Sequence, residues 1–327
     1  MVLSGLARRD ATSSRAEVPI RHARIRATVT PRSPAVLFAI ATLIWGSTWL
    51  GIKYQLGVVA PEVSVALRFA LAALLLGAWC ASRGRSLRFD ARAHGFIALQ
   101  GVLLFGLNYV MVYWAERYAT SGLVAVLFST IVFMNPVGAR LLFGTALTKR
   151  TLVAAALGVL GVALLFVPEL TEARHGGNAA LGIALGFGAT VIATGGNLAA
   201  MRNQRAGIAV LPSTAWGMGY GALTAAVAAL AQDVTWTIDL RAPYLVSLAY
   251  LAVIGSIVAF GAYLTLLKQV GPGTASYVGV ATPVVAMLVS TLFEGYRWTL
   301  LGAFGVALAV AGNWLALKPA RGRRANA

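Results

Sequence analysis

Among the polar side chains that interrupt the apolar stretches of this 327-residue chain, five stand out: Lys53, Arg68, Asn108, Asn135 and Asn197. A side-chain amide offers both donors and an acceptor, so the three asparagines have the chemistry to hydrogen-bond a ligand's amine or carboxylate. The same amides also serve bonds between neighbouring helices. Lys53 and Arg68 fall at similar depth, a few residues inside their stretches. Either they snorkel to the outer interface, or they form a shallow cationic rim for a substrate carboxylate or phosphate. Ser47, Thr48, Ser129, Thr130, Ser256 and Thr282 add weaker polar groups. Trp45, Tyr109, Tyr113, Tyr263 and Tyr277 are aromatic candidates for a cavity wall, with interfacial or core packing as the alternative.

The residues that are missing exclude whole classes of chemistry. All ten carboxylates read as lying in tails or breaks, Glu62, Glu116 and Glu294 among them, and His22, His94 and His175 read likewise. No stretch carries the clustered ligands that metals need, so neither metal nor cofactor is expected. No buried imidazole is placed to activate a serine, which disfavours a membrane-bound enzyme. The single cysteine, Cys80, allows no intrachain disulfide. Without an Asp, Glu or His inside a stretch, proton coupling is not expected; facilitated diffusion or substrate exchange is.

These candidates need long apolar elements to hold them. Ten stretches fit, near 35–56, 63–81, 94–115, 120–143, 151–167, 179–201, 211–231, 243–266, 274–293 and 299–317. A helix needs about 20 such residues to cross a bilayer core. The composition agrees, at 59% hydrophobic and 11% charged with a mean hydropathy of +0.77. The expectation is an all-α integral membrane protein of ten transmembrane helices. Its lipid surroundings and a small-molecule metabolite are the expected partners, and oligomeric state is not legible.

The net charge of +17 would suggest nucleic acid in a soluble protein, but its placement argues otherwise. With residues 1–33 taken as a basic cytoplasmic tail, twenty of the 27 Lys and Arg fall inside and four outside: Arg117, Arg174, Arg241 and Arg297. That asymmetry puts both the first tail and the basic tail 318–327 in the cytoplasm. The first tail has no apolar core, so it does not read as a secretory signal, and disorder is expected for it.

The chain also repeats. Tyr118-Ala119-Thr120-Ser121-Gly122 opens a stretch that closes on Leu142-Phe143-Gly144, followed by Gly158 and Gly161. Val270-Gly271-Pro272-Gly273-Thr274 opens one closing on Leu292-Phe293-Glu294-Gly295, followed by Gly302, Gly305 and Gly312. Residues 35–167 and 179–317 thus read as two five-helix units. Five is odd, so the second enters from the opposite side and the repeats are inverted. Such repeats place a substrate at the midplane between the halves. Pro136 and Pro283 sit in equivalent stretches, where each removes a helix bond and marks a candidate kink. Glycines at GxxxG spacing, such as Gly217 and Gly221, signal close helix packing.

Several motifs carry a family resemblance. They are Leu43-Ile44-Trp45-Gly46-Ser47-Thr48 with Lys53; Pro61 with Ala66-Leu67-Arg68-Phe69; Tyr113-Trp114-Ala115-Glu116-Arg117-Tyr118; and Thr282-Pro283-Val284-Val285-Ala286. Together the chain resembles the EamA family of the drug/metabolite transporter superfamily across nearly all of residues 35–317. The resemblance implies two inverted five-helix repeats around a central cavity in the cytoplasmic membrane. It also implies transport of small polar metabolites by alternating access, often export of amino acids or related compounds. A membrane-bound enzyme or a non-transporting receptor or scaffold is the alternative. One departure is that Gly144-Thr145 stands where the family pattern often has an acidic residue, as Glu294 does in the second unit.

Overall fold

The computed structural model describes residues 33–118, 121–165, 167, 179–293 and 298–317. Among these, every regular element is helical. Helix α1 is Pro34–Lys53 and α2 is Pro61–Ser82. Helix α3, Ala91–Gly101, continues through a π-helical segment, Val102–Leu107, into α4, Asn108–Tyr118. Next come α5, Ser121–Ser129, α6, Ile131–Phe143, and α7, Lys149–Leu165. Helices α8, Ala179–Arg205, and α9, Val210–Ala231, lead to α10, Ala242–Tyr250. A second π segment, Leu251–Val258, joins α10 to α11, Ala259–Ala275, and α12, Val278–Phe293, and α13, Leu300–Leu317, follow. Among the described residues five rods are long and apolar enough to cross a membrane: Pro34–Lys53, Pro61–Ser82, Ala91–Tyr118, Ala180–Arg205 and Ala242–Ala275. Shorter apolar helices accompany them. Among the described residues no group of His, Cys, Asp and Glu could hold a metal ion.

The helix starts follow local chemistry. Proline opens α1 and α2, where a missing amide hydrogen costs nothing. Asp90 caps α3 by accepting from the Ala93 amide at 2.7 Å. One boundary differs from the hydropathy reading. The break expected after residue 266 falls at Gly271 (φ 78°, ψ 173°), a kink at which two helical pieces of α11 meet. Glycine tolerates that left-handed backbone, and Pro272 then restarts the helix. The expected helix over 120–143 is instead interrupted at Thr130, whose hydroxyl donates to the Leu127 carbonyl at 2.6 Å. That break lies six residues before Pro136, which itself sits inside α6, as Pro283 sits inside α12.

Outward faces carry Leu74, Leu141, Leu230 and Phe304, all exposed, as a lipid-facing surface requires. Inward faces carry small residues such as Ala41, Ala66, Ala72 and Ala225. The heaviest helix contacts are α7 with α13, α2 with α9, α4 with α8, and α1 with α12. Each joins an element before residue 167 to one after residue 178, so the core lies between the two stretches.

Candidate functional site

A cavity opens between α1, α4, α8, α11 and α12, with α5 closing one side. Its own space is about 110 Å³, on the scale of the ~150 Å³ apolar cavity that takes a single benzene ring. The lining follows helical spacing. Helix α1 contributes Trp45, Thr48, Trp49 and Ile52; the rod around α4 contributes Leu104, Asn108 and Val112; α8 contributes Ala193 and Asn197. Residues three and four apart share a helix face, so each element presents one stripe. The first π segment contributes Leu104 to the wall. It ends immediately before Asn108, and the second ends two residues before Phe260.

Aromatic rings make most of the surface. The Trp45 ring meets Phe260 and Tyr263 with centroids 4.8 and 5.0 Å apart, while its Nε1 donates to the Gly255 carbonyl at 3.2 Å. Tyr109, Trp49 and Phe128 complete the aromatic wall. Among the described residues no charged side chain lines it.

Of the residues singled out from sequence, Trp45, Tyr109, Tyr263, Thr282, Asn108, Asn197 and Pro283 meet here. Asn135 stands one layer behind, bonded to both Ser276 and Asn197. Tyr277 is elsewhere, packed with Val132, Ala154 and Val280, its hydroxyl donating to the Thr151 carbonyl at 2.9 Å. Tyr113 points away and donates to Gln55 Oε1 at 2.7 Å. Lys53 is exposed at the end of α1, outside the lining.

Arg68 neither snorkels nor forms a rim. It is fully buried, because its face of α2 packs against the second π segment and α4. Its Nε donates to Ser256 Oγ at 3.0 Å, and Ser256 in turn donates to the Leu251 carbonyl five residues back. The guanidinium lies 4.6 Å from the centroid of Tyr109 and 5.1 Å from that of Phe69, while Nη1 has no partner. Arg68 therefore stands behind the cavity's aromatic wall.

The expectation that every carboxylate stands in a break also fails. Glu62 is the second residue of α2 and is fully buried; Oε1 accepts from the indole of Trp114 and from Gln232 Nε2, and Oε2 has no partner. A buried carboxylate is tolerable there because helix N-terminal amides and their dipole favour negative charge. Glu116 lies within α4, half-buried. This removes the basis for expecting transport without proton coupling. Glu294 lies outside the described residues.

Sequence reading missed Trp49, Phe128, Phe260 and Ser276 as wall residues. The signal was present for two of them: Trp49 follows Trp45 by four, and Phe260 precedes Tyr263 by three, each pair sharing one helix face.

The arrangement defines a class: a multi-pass helical membrane protein with a ligand-sized, uncharged cavity between its helices. The chain belongs to the EamA-like transporter family, whose model matches it twice, over residues 32–167 and 180–318. It is 32% identical over 294 residues to the "Uncharacterized inner membrane transporter YedA" of Escherichia coli K12, covering 85% of this chain and 90% of that one. It is 24% identical over 307 residues to the "Probable amino-acid metabolite efflux pump" of the same organism, covering 90% and 98%. A solved crystal structure with 18% identity superposes with a TM-score of 0.71 over 88% of this chain and 98% of its own, a likeness of fold. The protein is thus a multi-pass cell-membrane protein of a metabolite-transporter family.

Proposed function

We propose that this protein moves a small metabolite across the cytoplasmic membrane by alternating access, with the cavity between the helices as its substrate site. The observation that carries the reading is the cavity itself: ligand-sized, aromatic, and placed where the two stretches of the chain meet. The efflux relative supports export, and its printed name supports amino-acid metabolites or related compounds as the class.

The reading includes ten spans in two inverted repeats, 35–167 and 179–317. Numbering the spans one to ten, the contact pattern supports it. Exchanging each span with the one five later turns the pair one–nine into six–four, and three–six into eight–one. The pairs two–seven and five–ten map onto themselves. All these pairs are in close contact. The two π segments fall in spans three and eight, which the same exchange relates. The double family match supports it as well.

Asn108 and Asn197, with Asn135 behind them, are the polar groups we assign to substrate. Untargeted metabolite levels inside and outside cells, with and without the protein, should differ for a small set of compounds. Asn108→Ala and Asn197→Ala should each cut that difference at least tenfold at unchanged membrane abundance. Full retention in both variants would remove the cavity from the transport path.

Both termini are assigned to the cytoplasm. The loops around Arg85 and Ala206 share one end of the molecule, and those around Val59 and Val234 share another, as this orientation requires. In a Cys80→Ser background, Arg85→Cys and Arg205→Cys should be shielded from an impermeant maleimide in intact cells, while Arg241→Cys reacts. The opposite labelling would invert the map.

A further inference from the structure

The polar atoms in the cavity wall are oriented by backbone carbonyls, and the orientation leaves two amide oxygens in the wall without a protein partner. Ser276 donates to the Pro272 carbonyl at 2.6 Å, and a carbonyl only accepts, so the Ser276 oxygen must accept from Asn135 Nδ2 at 2.9 Å. Asn135 Oδ1 is thereby turned to Asn197 Nδ2, at 3.4 Å. This leaves Asn197 Oδ1 buried in the wall without a protein partner. Asn108 is fixed in the same way, its Nδ2 donating to the Leu104 carbonyl at 3.2 Å and its Oδ1 left unpartnered. The two residues are 3% and 5% exposed. Thr48 and Thr282 repeat the pattern, each directing its proton to a carbonyl of its own helix at 2.8 and 2.7 Å. Their oxygens, too, retain only acceptor capacity. Donors stand among them as well: Trp49 Nε1 has no partner, and Tyr109 and Tyr263, whose hydroxyls can donate, also line the cavity.

A buried acceptor without a partner is costly, so an occupant that supplies hydrogens is favoured over one that supplies lone pairs. The surrounding rings of Trp45, Trp49, Tyr109, Phe128, Phe260 and Tyr263 add faces that attract a cation. The one buried guanidinium near them, Arg68, lies outside the lining.

We infer that the cavity selects a primary amine or ammonium on an apolar, aromatic-sized body that carries no carboxylate, with Asn108 and Asn197 accepting its hydrogens and Asn135 and Ser276 holding Asn197 in the accepting orientation. This rests on the cavity being the substrate site and narrows what enters it.

Calorimetric titration of the purified full-length protein with four probes tests it. They share one body: 2-phenylethylamine, 2-phenylethanol, phenylalanine and 3-phenylpropionate. The amine should bind at least tenfold more tightly than either carboxylate-bearing probe, with the alcohol between. Asn197→Leu and Asn108→Leu should each weaken the amine at least tenfold, and Asn197→Asp should strengthen it. If Asn197→Leu does not fold, Asn108→Leu carries the test, since its amide bonds only within its own rod. Tighter binding of phenylalanine or phenylpropionate, lost in the same variants, would overturn the donor rule while leaving the cavity as the substrate site. Amine binding that both leucine variants leave intact would place it elsewhere and overturn both readings. No binding of any probe would overturn the inference, and the metabolite comparison would still judge the cavity independently.

Discussion

Arg68→Ala should lower the unfolding temperature of this protein by about 5 °C or more, while Arg68→Met should leave it unchanged or raise it. The side chain fills space between α2, α4 and the second π segment, so truncation leaves a hole, a change that costs about 2–5 kcal/mol. Methionine refills most of that volume and removes a charge that no salt bridge compensates among the described residues. Replacing buried charge with apolar bulk is often neutral or stabilising by ~1–4 kcal/mol. Cys80 supplies the measurement, because it is the chain's single thiol, is buried, and becomes reactive to a maleimide dye as the bundle opens. Transport by the methionine variant then separates two roles for the guanidinium. If the substrate is an amine, losing a like charge behind Tyr109 leaves transport intact. Loss of transport in a fully stable Arg68→Met protein would instead put a substrate anion on Arg68.

The membrane class was legible because hydropathy reports what bilayer solvent demands of every long helix. Asn108, Asn197, Trp45 and Tyr263 were legible because a polar or aromatic group in such a helix needs a reason to be there, and a shared cavity is one. Depth was much less legible. Glu62 and Arg68 lie near the ends of apolar stretches, where linear position says water, yet both are buried by helices distant in sequence, through Trp114 and Gln232 for one and Ser256 for the other. Tyr277 failed for the converse reason: its place in a cavity-lining stretch is right, but its face of the helix turns toward Thr151. The π segments left no signal in periodicity. A π turn inserts one residue into the helical register, and a hydrophobic stretch with no polar face cannot report the slip.

Gly101→Val should prevent accumulation of folded protein, and Gly101→Ala should lower stability by about 1–3 kcal/mol or more. Gly101 is the last residue of α3 before the first π segment, and there the chain meets α9 backbone to backbone. A β-carbon added at Gly101 would run into the Gly217 carbonyl oxygen and lie 2.9 Å from both Gly217 Cα and Tyr220 Cβ. Backbone cannot rotate aside as a flexible side chain can, so the two helices must separate along their whole contact. That contact is carried further by Gly221, where an added β-carbon would stand 2.8 Å from the Phe105 carbonyl carbon. Separation there would displace the π segment and, beyond it, Asn108 in the cavity wall. Gly77 in α2 provides the opposite case. A β-carbon there meets nothing within 4 Å, so Gly77→Ala should gain about 0.5–1 kcal/mol from the helix's lower backbone entropy cost. Cys80 reactivity on heating reads both variants on one scale. A Gly101→Ala protein as stable as the parent would mean that α3 and α9 are not in backbone contact, and the cavity built beside that contact would have to be redrawn.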